Sequence, residues 1–336
     1  MKKKLLAMTL ASALCAGMLA GCGSSASTGS TGDSGSTASG DAYNVTVIVK
    51  HTDGHFNKVI AGARAYGSEH DNINVEIQSP TSATSYDEQV NMIETALGNP
   101  GIDAVVIAPQ QSTSTATLVD TATKPVVALD TDFTSDKKAC FVGTGNEDAA
   151  LNGGKAVAEA CKALGKDKPK AVIIAGVQGD ETHEARLRGY RSAVEQAGGT
   201  VLEVQYCDAQ PDRAAAAMEA VMQKYPQGVD AVLVTGDDMA LAAIKCIWDN
   251  NSAAYRKTVI CGFDGNQAAV EALDRGELTV DIAQQGYEMG YKAVEAALDA
   301  LEGKSVELVI DSGSEVITAD NIDAYIADCK EKGLWS

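Results

Sequence analysis

From Asn44 onward the sequence alternates short apolar runs, rich in β-branched residues, with longer amphipathic segments, and this alternation restricts the fold more than any other feature. The first run, "NVTVIVK", precedes a segment in which Phe56, Val59, Ile60 and Ala63 fall on one helical face. Near-continuous apolar strands separated by amphipathic helices predict parallel sheets covered by helices on both faces. Because the runs are too many for one sheet of usual size, the sequence predicts an α/β fold of two doubly wound parallel-sheet lobes that meet near "CFVGTGNEDAA".

The N-terminal part of the chain does not follow this alternation. Three lysines precede an apolar stretch that is too short to span a bilayer and is typical of an export signal. The junction "LAGC" resembles a bacterial lipobox, so we predict a lipoprotein signal peptide over residues 1–21 and a lipid on Cys22. Ordinary secretion with a chance cysteine is the alternative. Residues 22–42, mostly Gly, Ser, Thr and Ala, are then a flexible tether that holds an extracytoplasmic domain at the outer face of the cell membrane.

Charge and cysteine content exclude several classes of partner and site. Removal of the three signal-peptide lysines changes the formal net charge from −19 to −22, which argues against nucleic acid and anionic lipid surfaces as partners. The cysteines of the predicted domain form no C-x-x-C pair and no Cys/His cluster at metal spacing, so we predict no metal site and no cofactor. They lie mostly in or beside apolar runs, where a thiol packs as a small hydrophobe, and we predict free thiols rather than disulfides. These cysteines are Cys140, Cys161, Cys207, Cys246, Cys261 and Cys329.

Polar residues follow several of the predicted strands directly. In parallel sheets, ligands bind beyond the carboxyl ends of the strands. The first strand runs into "HTDGHF", the segment "VQGDETHEARLRGY" follows "VIIAG", and Asp130, Asp264 and Gln284 end three other runs. Asp237 and Asp238 follow "AVLVTG" and are interpreted as helix caps, with ligand contact as the alternative. Capping is also an alternative for Asp130 and Asp264.

Four segments, "EARLRGYRSAV", "TGDDMALAAI", "VICGFDG" and "DIAQ", resemble the type I periplasmic sugar-binding proteins that feed ABC transporters. The ribose- and galactose-binding proteins are nearest, and the similarity extends from Asn44 to the C-terminus. It implies two α/β lobes, joined by a three-stranded hinge, that close on a monosaccharide and then dock on a membrane permease. The implied lobes are residues 43–144 with 286–312, and residues 145–285 with 313–336.

The resemblance also implies seven ligand-binding residues. The first three are an acidic side chain and two ring side chains that follow the first strand. The other four are two carboxylates that accept hydrogen bonds from hydroxyls, an arginine that donates to ring or hydroxyl oxygens, and an amide beside the hinge. In that order they are Asp53, His55, Phe56, Asp130, Asp264, Arg186 and Gln284. The chemistry is reasonable without the family, since charge-assisted hydrogen bonds satisfy sugar hydroxyls and aromatic rings stack on the apolar sugar face.

The chain departs from the family pattern in three places. Gly236 stands where ribose binders carry an asparagine, Gln210-Pro211 replaces an aromatic residue, and His55 replaces one ring of an aromatic pair. We therefore expect a pocket that is larger or more polar than a ribose pocket. Candidates for the missing stacking surface are Phe133, Tyr190 and Trp248.

Some of the predicted ligand-binding residues also have a purely structural interpretation. Phe56 could be the core end of the first helix, and His55 could be ordinary loop surface. Arg188 and Arg191 lie on the same predicted helix as Arg186 and are alternatives to it.

Three other functional classes were weighed against a sugar receptor. An enzyme needs a nucleophile with a base, paired carboxylates or a metal set, and the four histidines show no such arrangement. A repressor of the lac type shares the core fold but carries a helix-turn-helix instead of an export signal. Within the binding class, the alternatives are a receptor for autoinducer-2 or a nucleoside, or presentation of the ligand to a sensor. We predict a monomer without catalytic activity.

Overall fold

The computed structural model describes residues 42–335, and the predicted alternation is present throughout them. The strands are β1 (Tyr43–Ile48), β2 (Ile73–Gln78), β3 (Ala104–Ile107), β4 (Val126–Leu129), β5 (Lys138–Gly143), β6 (Lys170–Ala175), β7 (Thr200–Tyr206), β8 (Ala231–Val234), β9 (Val259–Cys261), β10 (Asp281–Gln284), β11 (Val309–Asp311) and β12 (Ser314–Ile317). The helices are α1 (Gly54–Glu69), α2 (Tyr86–Gly98), α3 (Ser112–Val119), α4 (Asn146–Ala163), α5 (Glu181–Gln196), α6 (Pro211–Lys224), α7 (Asp237–Asp249), α8 (Gln267–Asp274), α9 (Gly286–Leu301) and α10 (Ile322–Glu331). None of these helices is both long enough and apolar enough to cross a membrane.

Two parallel sheets carry the fold. The first sheet has the strand order β11-β5-β4-β3-β1-β2, and the second has the order β7-β6-β8-β9. Every strand pair within these two sheets is parallel, so the predicted fold class is confirmed. The pair β10-β12 is antiparallel, and isolated bridges from Cys261 to Val280 and from Asp264 to Ala283 place β10 beside β9. The last two strands therefore lie in different sheets, because β11 joins the first sheet and β12 pairs with β10.

Each sheet buries both of its faces, as the continuous apolar strands require. Successive side chains of a strand point to opposite faces. In β3, Ala104 and Val106 pack in a core with α1 and α9, whereas Val105 and Ile107 pack in a core with α2 and α3. The second sheet repeats this plan, with α4 and α5 on one face and α6, α7, α8 and α10 on the other.

Between residues 42 and 335 the chain passes three times from one sheet to the other. The crossings follow Gly143, Gln284 and Asp311. After the second crossing, α9 returns to the first sheet and packs against α1 and against β3, β4 and β5. These crossings lie close to the expected hinge; the lobe boundaries given above stay a prediction.

The six cysteines of residues 42–335 are buried and free. Burial raises the pKa of Cys140, Cys161 and Cys207 to about 11. A thiol with so high a pKa is almost entirely protonated at neutral pH and is a poor nucleophile. These cysteines therefore serve as small core residues.

Candidate functional site

A cavity of about 160 Å³ lies between the carboxyl ends of the strands of both sheets. Its walls come from the segments that follow β1, β2, β3 and β4 of the first sheet and β6, β7, β8 and β9 of the second, with Gln284 at the end of β10. All seven residues that the sequence predicts as ligand-binding line this one cavity. They are Asp53, His55, Phe56, Asp130, Arg186, Asp264 and Gln284.

The loop after β1 forms one wall of the cavity. Asp53 is the N-cap of α1, since its Oδ1 accepts a hydrogen bond of 2.7 Å from the Phe56 amide, and its Oδ2 lies 2.9 Å from Nε2 of His51. Burial raises the pKa of Asp53, but the hydrogen bond from His51 and the nearby His55 outweigh it, so the pKa lies below the ordinary value. The His51 and His55 rings meet the Phe56 ring edge-on, with centroids 5.8 Å and 5.1 Å away. This wall therefore combines a carboxylate with an aromatic surface.

Asp130 follows β4 with a positive φ of 62°, which is uncommon for a residue other than glycine. Its Oδ1 lies 2.8 Å from Nε2 of His55, while its Oδ2 accepts a hydrogen bond from the Thr131 hydroxyl and lies 3.6 Å from Nζ of Lys50. Burial opposes ionisation, yet the hydrogen bond from His55 and the charge of Lys50 hold the pKa of Asp130 well below its usual range. Asp130 is therefore a buried carboxylate that stays ionised.

Asp264 follows β9 on the opposite wall and also has a positive φ, 131°. Its Oδ1 accepts hydrogen bonds from Nε2 of Gln284 at 2.7 Å and from Nη1 of Arg186 at 3.3 Å. The Arg186 guanidinium also donates to the side chain of Asn146 and the carbonyl of Thr235, and it stacks on the Phe263 ring at 3.7 Å. Arg186 is thus held in one orientation before any ligand arrives.

The structure decides several of the alternatives left open by the sequence. His55 is not loop surface, because it lies in the first turn of α1 and is 5% exposed. Neither Asp130 nor Asp264 is the N-cap residue of a helix, and the N-cap of α7 is Gly236 rather than an aspartate. The Oδ2 atom of Asp264 does accept a hydrogen bond of 3.4 Å from the amide of Asp237, the first residue of α7. Phe56 is both a core residue and a cavity residue, since it packs in the core of the first sheet and also lines the cavity.

Arg186 is the arginine of α5 that reaches the cavity. Arg188 instead forms ion pairs with Glu147 and Glu181 on the surface. Arg191 is not among the residues that line the cavity.

None of the three proposed stacking residues lines the cavity. Phe133 packs in the core with α2 and α3, and Tyr190 is buried on α5 with its hydroxyl bonded to the carbonyl of Val234. Trp248 lies on the surface under Arg256. Helical periodicity does not report which end of a sheet a side chain reaches. The rings at the cavity that the sequence did not identify include Tyr86, at the start of α2, and His183, on α5.

Lys50 and Asp180 were also missed. Lys50 lies two residues after the end of β1, at the end of an apolar run, so it carries no periodic signal. Its Nζ lies 3.6 Å from Asp130 and 3.7 Å from Asp180, which caps α5 beyond the second sheet. The hydroxyls of Thr131 and Thr182 meet at 2.9 Å beside this bridge. Groups that follow the two sheets are therefore in direct contact across the cavity.

Buried polar atoms without hydrogen-bond partners concentrate at the cavity. Such atoms are rare in folded proteins and each one needs a reason. Seven side-chain atoms of this kind occur among the described residues, and five belong to residues that line the cavity. Those five are Nδ1 of His51, Nδ1 of His55, Oε1 of Gln110, Oδ1 of Asp237 and Oδ1 of Asn266. Oδ1 of Asp237 faces Gly262 and the Asp281 carboxyl, so the other four atoms suit the cavity to a small ligand with several polar groups.

The remaining two unpartnered atoms belong to Asp281, which is fully buried beside Asp237. Both carboxyl groups lie against Gly262, where an added Cβ would be 2.5 Å from Asp237 and 3.2 Å from Asp281. Burial and the charge of Asp264 raise the pKa of Asp281 to about 6, and burial with the charge of Asp281 raises that of Asp237 well above its usual value. The pair therefore retains a proton at neutral pH.

This pair predicts a pH-dependent stability. The pKa of Asp281 is about 6 in the native protein and 3.8 in the unfolded chain. The protonated carboxyl therefore stabilises the native state fully below pH 3.8, and this stabilisation is lost as the pH rises through about 6. Between pH 7.5 and pH 5 we expect the wild type to gain about 1–3 kcal/mol relative to Asp281→Asn, whose amide mimics the protonated carboxyl and does not titrate. Urea unfolding at a series of pH values measures the difference. Asp320→Asn, at an exposed site, is the control, and parallel pH profiles for the wild type and Asp281→Asn would contradict the prediction.

Comparison with known proteins gives one consistent family. The sequence profile of the periplasmic binding protein domain matches residues 45–305. The ribose import binding protein of Bacillus subtilis (strain 168) is 32% identical over 214 residues, which are 62% of this chain and 67% of that protein. The D-ribose/D-allose-binding protein of Pseudomonas aeruginosa is 26% identical over 272 residues, 77% of this chain and 83% of that protein.

Solved structures show the same architecture. A glucose-galactose binding protein from Geobacillus stearothermophilus superposes with a TM-score of 0.77 at 26% identity. The superposition covers 84% of this chain and 99% of that one. The similarity therefore covers the architecture of both sheets.

Proposed function

The chain belongs to the periplasmic binding protein family, and from this premise we propose that it captures a neutral monosaccharide, a pentose or a hexose, in the cavity and delivers it to an ABC permease. The observation that carries the proposal is the concentration of unpartnered polar atoms around a cavity in which two carboxylates and an arginine are already oriented. The relatives named as ribose, allose, glucose and galactose binders support it.

Binding follows from the groups that face the cavity. Asp130 and Asp264 accept hydrogen bonds from hydroxyls, and Arg186 donates to a ring or hydroxyl oxygen. Phe56 and the neighbouring histidine rings pack on the apolar face of the sugar. Asp53 and Gln284 complete the set, and the sugar leaves unchanged because capture needs no covalent step.

Closure of the two lobes is the proposed mechanical step. The contacts from Lys50 to Asp180 and from Thr131 to Thr182 join the walls across the cavity. An open form loses them, exposes the cavity and admits the sugar, and hinge closure buries the sugar again. The closed monomer then docks on the permease, with lobe boundaries at residues 43–144 with 286–312 and 145–285 with 313–336.

The family consists of extracytoplasmic binding proteins, and we propose that this chain is tethered to the membrane by a lipid on Cys22. That residue and the signal peptide lie outside the described residues, so the proposal depends on the "LAGC" junction and on the tether composition. A tether raises the concentration of the receptor near its transporter without any new contact.

A thermal-shift screen tests the proposal. The panel contains D-ribose, D-allose, D-galactose, D-glucose, myo-inositol, nucleosides and autoinducer-2. A ligand that binds the native state at about a hundred times its Kd adds about 2.7 kcal/mol to the free energy of unfolding, which raises the Tm by several degrees. A shift with a neutral monosaccharide supports the proposal, whereas a response to nucleosides or autoinducer-2 alone keeps the fold and rejects the sugar. Silence across the panel rejects capture of this class of ligand.

The charge of the cavity predicts selectivity against anionic sugars. Six aspartates line it against one lysine and one arginine, and five of the six remain when Asp237, which shares a proton with Asp281, is left out. We expect D-ribose 5-phosphate and D-glucuronate to bind at least about tenfold more weakly than D-ribose and D-glucose, because like charges repel in a partly desolvated site. Competition calorimetry on the matched pairs measures the ratio. Equal or tighter binding of the acids would mean that the carboxylates do not face the ligand.

A further inference from the structure

Lys58 is a buried lysine that no part of the proposed binding step uses. It lies on α1, is 5% exposed and does not line the cavity. Its Nζ donates hydrogen bonds to the backbone carbonyls of Asp264 at 2.9 Å and Gly265 at 3.0 Å, more than 200 residues away in sequence. Buried lysines are rare because the ammonium group loses its hydration, so one that bonds two carbonyls of a ligand-binding loop requires an explanation.

The backbone that Lys58 contacts has an uncommon conformation. Asp264 has a φ of 131° and Gly265 a φ of 66°. A residue other than glycine in such a region costs about 1–3 kcal/mol and persists only where its surroundings hold it. Besides Lys58, the Tyr325 hydroxyl donates to the carbonyl of Gly265, and Oδ2 of Asp237 accepts from the amide of Asn266. The loop after β9 is therefore held from several sides. Lys58 provides the contact from α1, the helix that packs on the first sheet.

The charge of Lys58 acts on the carboxyl pair behind the loop. Burial raises the pKa of Asp281, and the positive charge of Lys58 is among the causes that act against this rise. An apolar side chain of the same length provides neither the donors nor the charge.

We propose that Lys58 is a positioning residue that holds the strained backbone of Asp264, so that its carboxylate meets Arg186, Gln284 and the sugar, and that links α1 to the loop after β9. This inference rests on the proposed function only in assigning Asp264 to the sugar. Lys58 acts through Asp264 and does not itself touch the ligand.

The first test needs no ligand. Hydrogen exchange of the whole protein reports on the amides of Asp264 and Asn266, which are bonded to Ile282 and Asp237. We expect Lys58→Met to raise their exchange rates at least about tenfold and Lys58→Arg, which keeps the charge and the donors, to restore most of the protection. Arg64→Met removes an exposed charge from the same helix and is the matched control. Unchanged exchange in Lys58→Met would overturn the proposal.

The second test separates positioning from general stability. With D-ribose and D-allose as probes, Lys58→Met should weaken binding at least about tenfold in the wild-type background but less than about twofold in an Asp264→Asn background. Equal losses in both backgrounds contradict action through Asp264. If neither sugar binds the wild type, the proposed function fails for these sugars while the exchange test still decides the role of Lys58. Lys58→Gln, which keeps an amide donor, replaces Lys58→Met in both tests if the methionine variant does not fold.

Discussion

Asp264→Ala is expected to weaken monosaccharide binding at least about a hundredfold while the protein stays folded. The carboxylate accepts hydrogen bonds from Arg186 and Gln284 and is assigned to accept from sugar hydroxyls. Charge-assisted hydrogen bonds contribute about 1.5–3 kcal/mol each, so the loss of two accounts for this factor. Removal of the carboxylate also leaves donors on both neighbours without their acceptor. Isothermal titration calorimetry measures the affinity, and small-angle scattering measures sugar-dependent closure, which should disappear.

Two further variants make this result specific. Arg186→Ala should likewise abolish binding and closure, because Arg186 is assigned to the ring or hydroxyl oxygens. Asp274→Ala removes an exposed carboxylate at the end of α8 and should leave the affinity unchanged. A folded Asp264→Ala protein with wild-type affinity would exclude this residue from the site, and an unfolded one would indicate a structural role.

Gly290→Ala is expected to lower the free energy of unfolding by about 2–4 kcal/mol. Helices α1 and α9 pack so closely that a Cβ on Gly290 would lie 1.9 Å from the carbonyl oxygen of Val59, and one on Gly62 would lie 1.9 Å from that of Tyr287. Because both neighbours are backbone atoms, the clash is relieved only if the helices separate and open the core between them. Urea unfolding measures the change in the free energy of unfolding, and Gly62→Ala should behave in the same way.

Gly98→Ala is the matched control, since it also lies in a helix but has no atom within 4 Å of the added Cβ. It should be neutral or slightly stabilising, because alanine loses less backbone entropy on folding. If Gly290→Ala and Gly98→Ala had the same effect, close packing of α1 on α9 would not contribute to stability.

The sequence predicted the fold class and the location of the site because both depend on local patterns. Apolar strand periodicity identified the parallel sheets, and the carboxyl ends of parallel strands share one edge. Asp130, Asp264 and Gln284 therefore meet at one cavity although they are far apart in the chain. The antiparallel pairing of β10 with β12 was not foreseen, since a short strand near a chain end pairs according to tertiary packing rather than to its own composition.

The missed residues depend on contacts that no local pattern records. Lys50 and Lys58 are polar residues in otherwise apolar surroundings, and their partners lie in the other half of the fold. His55 was expected by one interpretation to be loop surface, but it lies in the first turn of α1, where its ring contacts Asp130 and Phe56. Periodicity placed Tyr190 in a helix but could not show that its ring points into the core of the second sheet.

A crystal structure of the protein grown with D-ribose tests the central claim most directly. The account predicts one sugar ring in the cavity, with its hydroxyls within hydrogen-bond distance of Asp130 and Asp264, Arg186 on an oxygen, and Phe56 on its apolar face. Sugar bound elsewhere, as in the surface groove beside Trp248, or a saturated protein whose cavity holds only water, would contradict the account.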